Sequence, residues 1–224
     1  MKPSPRVPPD AFYNQLLAAL PPLERNRWQT HLEFVELTSG QVLCESGQQP
    51  EYAYFPTTAI ISLVCLTEEG GSAEIAVVGR EGLVGVSLFL AGHGSINAAV
   101  VQSAGFGYRV RAQFLRDEAH GAGPVLDLLL RYTLTMLEQV AQTAACHRYH
   151  SIDQLLCRRL LLGLDRQVSN DIVMTQELAA RLLGVRREGV TAAAKKLQRA
   201  GVISYRRGRI AVLDRGGLEE RTCN

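Results

Sequence analysis

The residues best equipped to do chemistry lie between Thr175 and Arg209, where nine Lys or Arg stand against two Glu, a local excess of +7 in a chain whose net charge is only +2. Such a concentration of cations is suited to neutralising phosphates. Arg187, Glu188, Thr191 and Lys195 fall on one side at helical spacing, and Val190, Ala193, Ala194 and Leu197 fall on the other. A helix that merely faced solvent would more usually mix its signs. Charge therefore favours a nucleic-acid reader over a plain helical packing unit.

The elements that would hold these side chains can be read locally. Thr175 is placed to cap a first helix whose apolar positions are Leu178, Ala179, Leu182 and Leu183. Gly184 ends it, supplying a left-handed backbone that a β-carbon would penalise. A second helix is predicted from about Arg187 to Ala200, closed by Gly201. The small residue Ala180 allows the two helices to cross closely through the short turn, which is the pattern of a helix-turn-helix. Beyond it, Ile203 to Tyr205 and Ile210 to Leu213 form two apolar-rich arms around Arg206, Arg207, Gly208 and Arg209, predicting a basic wing hairpin.

Composition bounds the rest. With 224 residues, 46% of them apolar, the chain can form one large or two modest domains, each with a core. Residues 1–150 hold ten basic and fourteen acidic side chains, net −4, whereas 151–224 hold fourteen and eight, net +6. An acidic front and a basic rear imply two jobs. No apolar run approaches the ~18 residues that span a bilayer, and MKPSPRVPPD lacks a signal-peptide core, so a soluble, cytoplasmic protein without membrane attachment is expected. The five cysteines, Cys44, Cys65, Cys146, Cys157 and Cys223, are odd in number and scattered, suggesting free thiols, mostly buried, with Cys223 the exception, and no metal site.

After a loose, proline-rich start, Ala11–Leu20 and Leu23–His31 read as short helices packing through Phe12, Leu16, Leu17, Leu20 and Trp28. From Glu33 to about Val110 come eight β-type runs: EFVEL, QVLCES, EYAYF, AIISLVCL, AEIAVV, GLVGVSLFL, INAAVVQ and GFGYRV. Their close spacing predicts a jelly roll or β-roll. Pro124 opens a helix to about His147, about 36 Å long at 1.5 Å per residue. It has two apolar sides, one with Leu130, Leu134, Leu137, Ala141 and Ala144, the other with Val125, Leu129, Tyr132, Met136 and Val140. One side can pack on the β-roll and the other on a second copy, predicting a dimer helix. Ser151 and Gln154 form a capping box for a further helix, so the hinge is expected between His147 and Ser151.

In this order the parts resemble the Crp/Fnr family of bacterial transcription regulators, and the resemblance covers nearly the whole chain. It is carried by GREGLVG at Gly79–Gly85, ACHRYHSIDQLLCRRLL from Ala145 and TQELAARLLGVRREGVT from Thr175. It implies an α+β fold in three parts: N-terminal helices and β-roll sensor over 1–122, a dimerisation helix and hinge over 123–149, and a DNA-binding winged helix-turn-helix over 150–224. Arg187 and Glu188 match the family's base-reading pair, while a later Arg of the family is Ala192 here, so the preferred half-site should differ. Arg can grip guanine O6 and N7, and Glu can accept from cytosine N4. Thr175, Gln176 and Arg186 sit at helix starts suited to phosphates, with Thr191 and Lys195 on the same exposed side. Wing residues Arg206, Arg207 and Arg209 add sequence-independent attraction.

The implied partners are double-stranded DNA with a near-palindromic site, a second copy of the chain and, for an activator, RNA polymerase. No cofactor is predicted, and the effector is undefined. Where cyclic-nucleotide-binding members carry a Glu and an Arg-Ser pair, this chain aligns Val86, Ile96 and Asn97, and residues 82–108 contain no Lys or Arg to meet a cyclic phosphate. No Cys precedes Cys44, as an N-terminal iron–sulfur cluster would require, and His93 stands alone as a conceivable haem ligand. A cupin-like metal enzyme would need clustered His and carboxylates on the β-region, which has a single His. The reading is of a regulator and not an enzyme, the alternative being a sensory or interaction protein with a decayed DNA-binding domain.

Overall fold

The computed structural model describes residues 9–90, 94–121, 123–167 and 169–222; the start through residue 8, His93 and Cys223 lie outside them. The chain divides into two compact units, residues 1–62 with 78–136 and residues 63–77 with 137–224.

The first unit opens with a 3-10 turn at Ala11–Tyr13 and two short helices, α1 (Gln15–Ala18) and α2 (Pro22–Gln29). Asn14 is fully buried and fully used: its Nδ2 donates to the carbonyls of Pro56 and Gly82, both at 2.8 Å, while Oδ1 accepts from the Leu16 and Leu17 amides. That satisfaction offsets the cost of taking an amide out of water. Trp28 packs edge-on against Phe55 and Phe114, with centroids 5.8 and 5.2 Å away.

Seven strands follow in chain order: β1 (Glu33–Leu37), β2 (Val42–Cys44), β3 (Tyr52–Pro56), β4 (Ile60–Leu66), β5 (Ser72–Val78), β6 (Ala98–Ser103) and β7 (Gly105–Arg111), with β4 and β5 falling largely within residues 63–77 of the second unit. They form two sheets, ordered β1-β7-β3 and β2-β6-β4-β5. The run GLVGVSLFL, sixth of the eight strands expected from sequence, does not form one. Val84 makes an isolated antiparallel bridge to Tyr54, Gly85 turns the chain at φ +126°, and Ser87–Leu90 forms helix α3. A residue in that backbone region cannot extend a strand, which is why the β-type composition does not prevail. Helix α4 (Ala112–His120), which the sequence reading leaves unassigned, buries Ala112, Leu115 and Ala119 directly after β7.

Helix α5 runs from Pro124 to Tyr149, two residues past the expected end. Val125, Leu129, Tyr132 and Met136 are buried, and the Tyr132 hydroxyl donates to the Leu83 carbonyl at 2.8 Å. On its other side Leu130, Leu134 and Leu137 are 45%, 58% and 61% exposed, a bare apolar stripe on a single helix.

In the second unit, Ser151 caps α6 (Ile152–Leu164) through the expected reciprocal box with Gln154. The rest is β8 (Asp171–Val173), α7 (Gln176–Leu183), α8 (Arg187–Arg199), β9 (Ile203–Arg206), β10 (Arg209–Val212) and α9 (Arg215–Glu219). The strands form one antiparallel sheet ordered β8-β10-β9; β8 is an addition to the expected two-stranded wing. Leu156, Leu160, Met174, Val190 and Ala193 are completely buried at its centre.

Candidate nucleic-acid interface

Thr175 caps α7 as its position suggests, its Oγ1 accepting from the Leu178 amide at 3.1 Å. Gly184 ends α7 at φ +61°, and the Val185 amide reaches back to the Ala180 carbonyl at 3.0 Å. Ala180, 7% exposed, is small where the chain turns into α8. Helix α8 buries Val190, Ala193, Ala194 and Leu197. Two glycines further shape this unit: Gly201 at φ +73° follows α8, and the site of Gly189 faces Ile152 of α6, whose Cδ1 would lie 2.5 Å from an added Cβ.

The buried stripe of α8 leaves the opposite side outward. Arg186, Arg187, Glu188 and Lys195 are exposed, and Thr191 is half-buried. At the start of α7, Thr175 is exposed and Gln176 half-buried. On the wing, Arg206, Arg207 and Arg209 are all exposed. Arg206 pairs with Arg209 across β9 and β10, leaving Arg207 and Gly208 as a two-residue turn with φ of +48° and +76°. Two consecutive positive φ values are the signature of a type I′ hairpin turn, whose twist suits antiparallel strands.

The wing is anchored to the start of α7. The Met174 amide donates to the Gly208 carbonyl at 2.8 Å, and the Tyr205 hydroxyl donates to the Met174 carbonyl at 2.8 Å. Burial raises the Tyr205 phenol above its ordinary range, while the positive charge of Arg187 opposes that rise. Tyr205 and the additional strand β8 are the parts of this site that sequence reasoning missed. Tyr205 reads as one more wing residue until its partner, thirty-one positions earlier, is known.

Among the described residues, no carboxylate pairs with Arg186, Arg187, Lys195, Arg206, Arg207 or Arg209. Lys196, by contrast, is matched to Asp153 at 2.7 Å. Six uncompensated cations on one compact unit make a positive potential available to an anionic polymer. Among the described residues no group of three or more His, Cys, Asp or Glu is placed to hold a metal ion, and no helix is long and apolar enough to cross a membrane. Of the positions aligned with a cyclic-nucleotide pocket, Val86 and Asn97 are half-buried and Ile96 is 82% exposed.

These features define a winged helix-turn-helix attached to a β-roll-bearing chain. Residues 154–221 match the family model of the Crp-like helix-turn-helix domain. Among curated proteins none matches the chain. Solved structures of similar fold include a regulator of the Crp/Fnr family from Eubacterium rectale, with TM-score 0.71 and 16% identity, covering 94% of this chain and 98% of that one. FixK2 from Bradyrhizobium japonicum gives TM-score 0.72 and 17% identity over 86% of this chain and 98% of its own. A Crp/Fnr-family transcriptional regulator from Thermus thermophilus gives 0.68 and 22% over 84% and 97%. The fold is thus that of the Crp/Fnr transcription regulators, a β-roll followed by a helix-turn-helix.

Proposed function

We propose that the chain is a sequence-specific DNA-binding transcription regulator of the Crp/Fnr type, acting as a homodimer on a near-palindromic site. The observation that carries this reading is that, among the described residues, Arg186, Arg187, Lys195, Arg206, Arg207 and Arg209 are exposed and without a carboxylate partner. Arg187 and Glu188 read base edges from the first turn of α8. Thr175, Gln176, Arg186 and Lys195 meet the backbone around them, with Thr191 beside Gln176 on the same side, and Arg206, Arg207 and Arg209 follow the adjoining phosphates. The bare leucine stripe of α5 supports pairing with a second copy, since a contiguous apolar row of this kind marks an interaction face. Two copies related by a twofold would offer two reading helices about one helical turn apart.

The β-roll is the sensor for a signal other than cyclic nucleotide bound in the usual mode. Its cation-free 82–108 segment supports that exclusion. For an activator, RNA polymerase is the further partner. The test is affinity for mixed-sequence duplex DNA, by fluorescence anisotropy, over a series of salt concentrations. A steep fall, with log–log slope roughly −0.9 per phosphate contacted, supports the reading; no binding even at low salt overturns it.

A further inference from the structure

A polar contact between side chains joins the start of α7 to the second turn of α8. The Thr191 hydroxyl lies 2.8 Å from Gln176 Oε1 and 3.0 Å from the Arg187 carbonyl. Both neighbours are acceptors, so the one hydrogen of this hydroxyl is shared between them and neither leaves it free to donate elsewhere. The Gln176 amide, in contrast, uses only its oxygen here. Among the described residues its Nε2 makes no hydrogen bond, and the side chain is half-buried next in sequence to the exposed Thr175.

We infer that Thr191 is a positioning residue for DNA recognition and not a base reader: it holds Gln176 so that the Gln176 Nε2 group is presented, already ordered, to a backbone phosphate. This rests on the DNA-binding reading above and specifies the roles of two of its residues. A glutamine free in solution samples many rotamers, and closing it onto a phosphate sacrifices that freedom. Anchored by Thr191, it arrives with much of that loss already taken, which is how pre-ordering raises affinity without adding a contact. The tie also links two helices. Gln176 begins α7 and Thr191 lies in the second turn of α8, fifteen residues later, so the phosphate contact and the base-reading turn at Arg187 are held in fixed register. Arg187 is joined to the same hydroxyl through its own carbonyl.

The two roles leave different traces. A phosphate contact adds affinity to every duplex, whereas a base contact changes which duplex is preferred. Because Gln176 is uncharged, losing its contact should leave the salt slope intact, unlike the loss of an Arg or Lys. The experiment uses the full-length protein, with site selection from a random duplex pool and affinities for selected and mixed DNA at several salt concentrations. Thr191→Val keeps the shape and removes the hydroxyl, and it should weaken binding to selected and mixed DNA alike by about fivefold, the scale of ordering one flexible side chain. Gln176→Ala, which removes the contact itself, should lose at least as much, the double variant should lose no more than Gln176→Ala alone, and Thr191→Ser should restore wild-type affinity. Selected sequence, salt slope and thermal midpoint should stay as in the wild type.

A change of preferred base in Thr191→Val would overturn the inference, because the hydroxyl would then be reading sequence. Additive losses, or a harmless Gln176→Ala beside a harmful Thr191→Val, would overturn it equally, since the pair would not act as one unit. Failure of the wild-type protein to bind any duplex would instead strike the DNA-binding reading itself.

Discussion

Arg159 on α6 grips Glu74 on β5 with both carboxylate oxygens engaged, Nε to Oε1 at 2.6 Å and Nη2 to Oε2 at 3.1 Å, and the two side chains are only 3% and 5% exposed. The same β4–β5 hairpin brings Ala73 to the turn of the helix-turn-helix, its Cβ 3.4 Å from where a Cβ on Gly184 would stand. Breaking one side of a buried pair leaves a charge without compensation. Glu74→Gln should therefore cost about 3–5 kcal/mol in urea unfolding, while replacing both residues with Met should recover much of it. An unchanged midpoint in Glu74→Gln would show that this pair holds nothing together.

Arg187 stands exposed in the first turn of α8, with no ion pair among the described residues. Arg187→Ala should reduce discrimination at one base pair by about 1–3 kcal/mol, measured as the affinity ratio of the selected site to its single-base variants. Equal loss on selected and mixed DNA would mean that the guanidinium meets only the backbone.

Arg207 sits at φ +48° in the wing turn, a conformation glycine adopts without strain. Arg207→Gly consequently removes the charge while sparing the hairpin. All sequences should bind more weakly, and the salt slope should shrink by about one unit. A normal slope would place the wing away from phosphate.

Leu134, 58% exposed, lies centrally in the stripe of α5. If the proposed dimer forms, Leu134→Glu should give a monomer by sedimentation at concentrations where the unaltered chain sediments as a dimer, because a carboxylate would lose its water in the paired face. A monomeric wild type would overturn the dimer.

Burial pushes the Cys157 thiol up to about 11, with Arg221 pulling weakly the other way. Between the ordinary thiol value near 9 and that value, the unfolded chain gives up a proton that the folded one keeps. Stability should therefore hold below pH 9 and fall between pH 9 and 11, by about 3 kcal/mol at ~1.36 kcal/mol per unit. Denaturant midpoints at pH 8 and 10.5 check this, and Cys157→Ala should shrink the difference, the raised Cys44 thiol and the raised Tyr54, Tyr108 and Tyr205 phenols keeping a part of it.

What the sequence determined by itself was whatever depends on neighbours a few residues apart. Thr175, Gly184 and Ser151 with Gln154 set element ends through their own backbone preferences and short hydrogen bonds, and each stands where its residue type implied. The exposed side of α8 was legible for the same reason, since 3.6-residue periodicity divides a helix before anything packs on it. Distant partners decided the rest. Cross-strand pairing of Val84 with Tyr54 and the backbone at Gly85 settled the fate of GLVGVSLFL; β10 recruited β8; Glu74 and Arg159, 85 positions apart, met only when the chain closed between them. Thr191 and Gln176 both read as exposed polar residues until two helices bring their side chains together. Local preference is encoded in each residue and its neighbours, but which distant groups meet follows from burying the core as a whole.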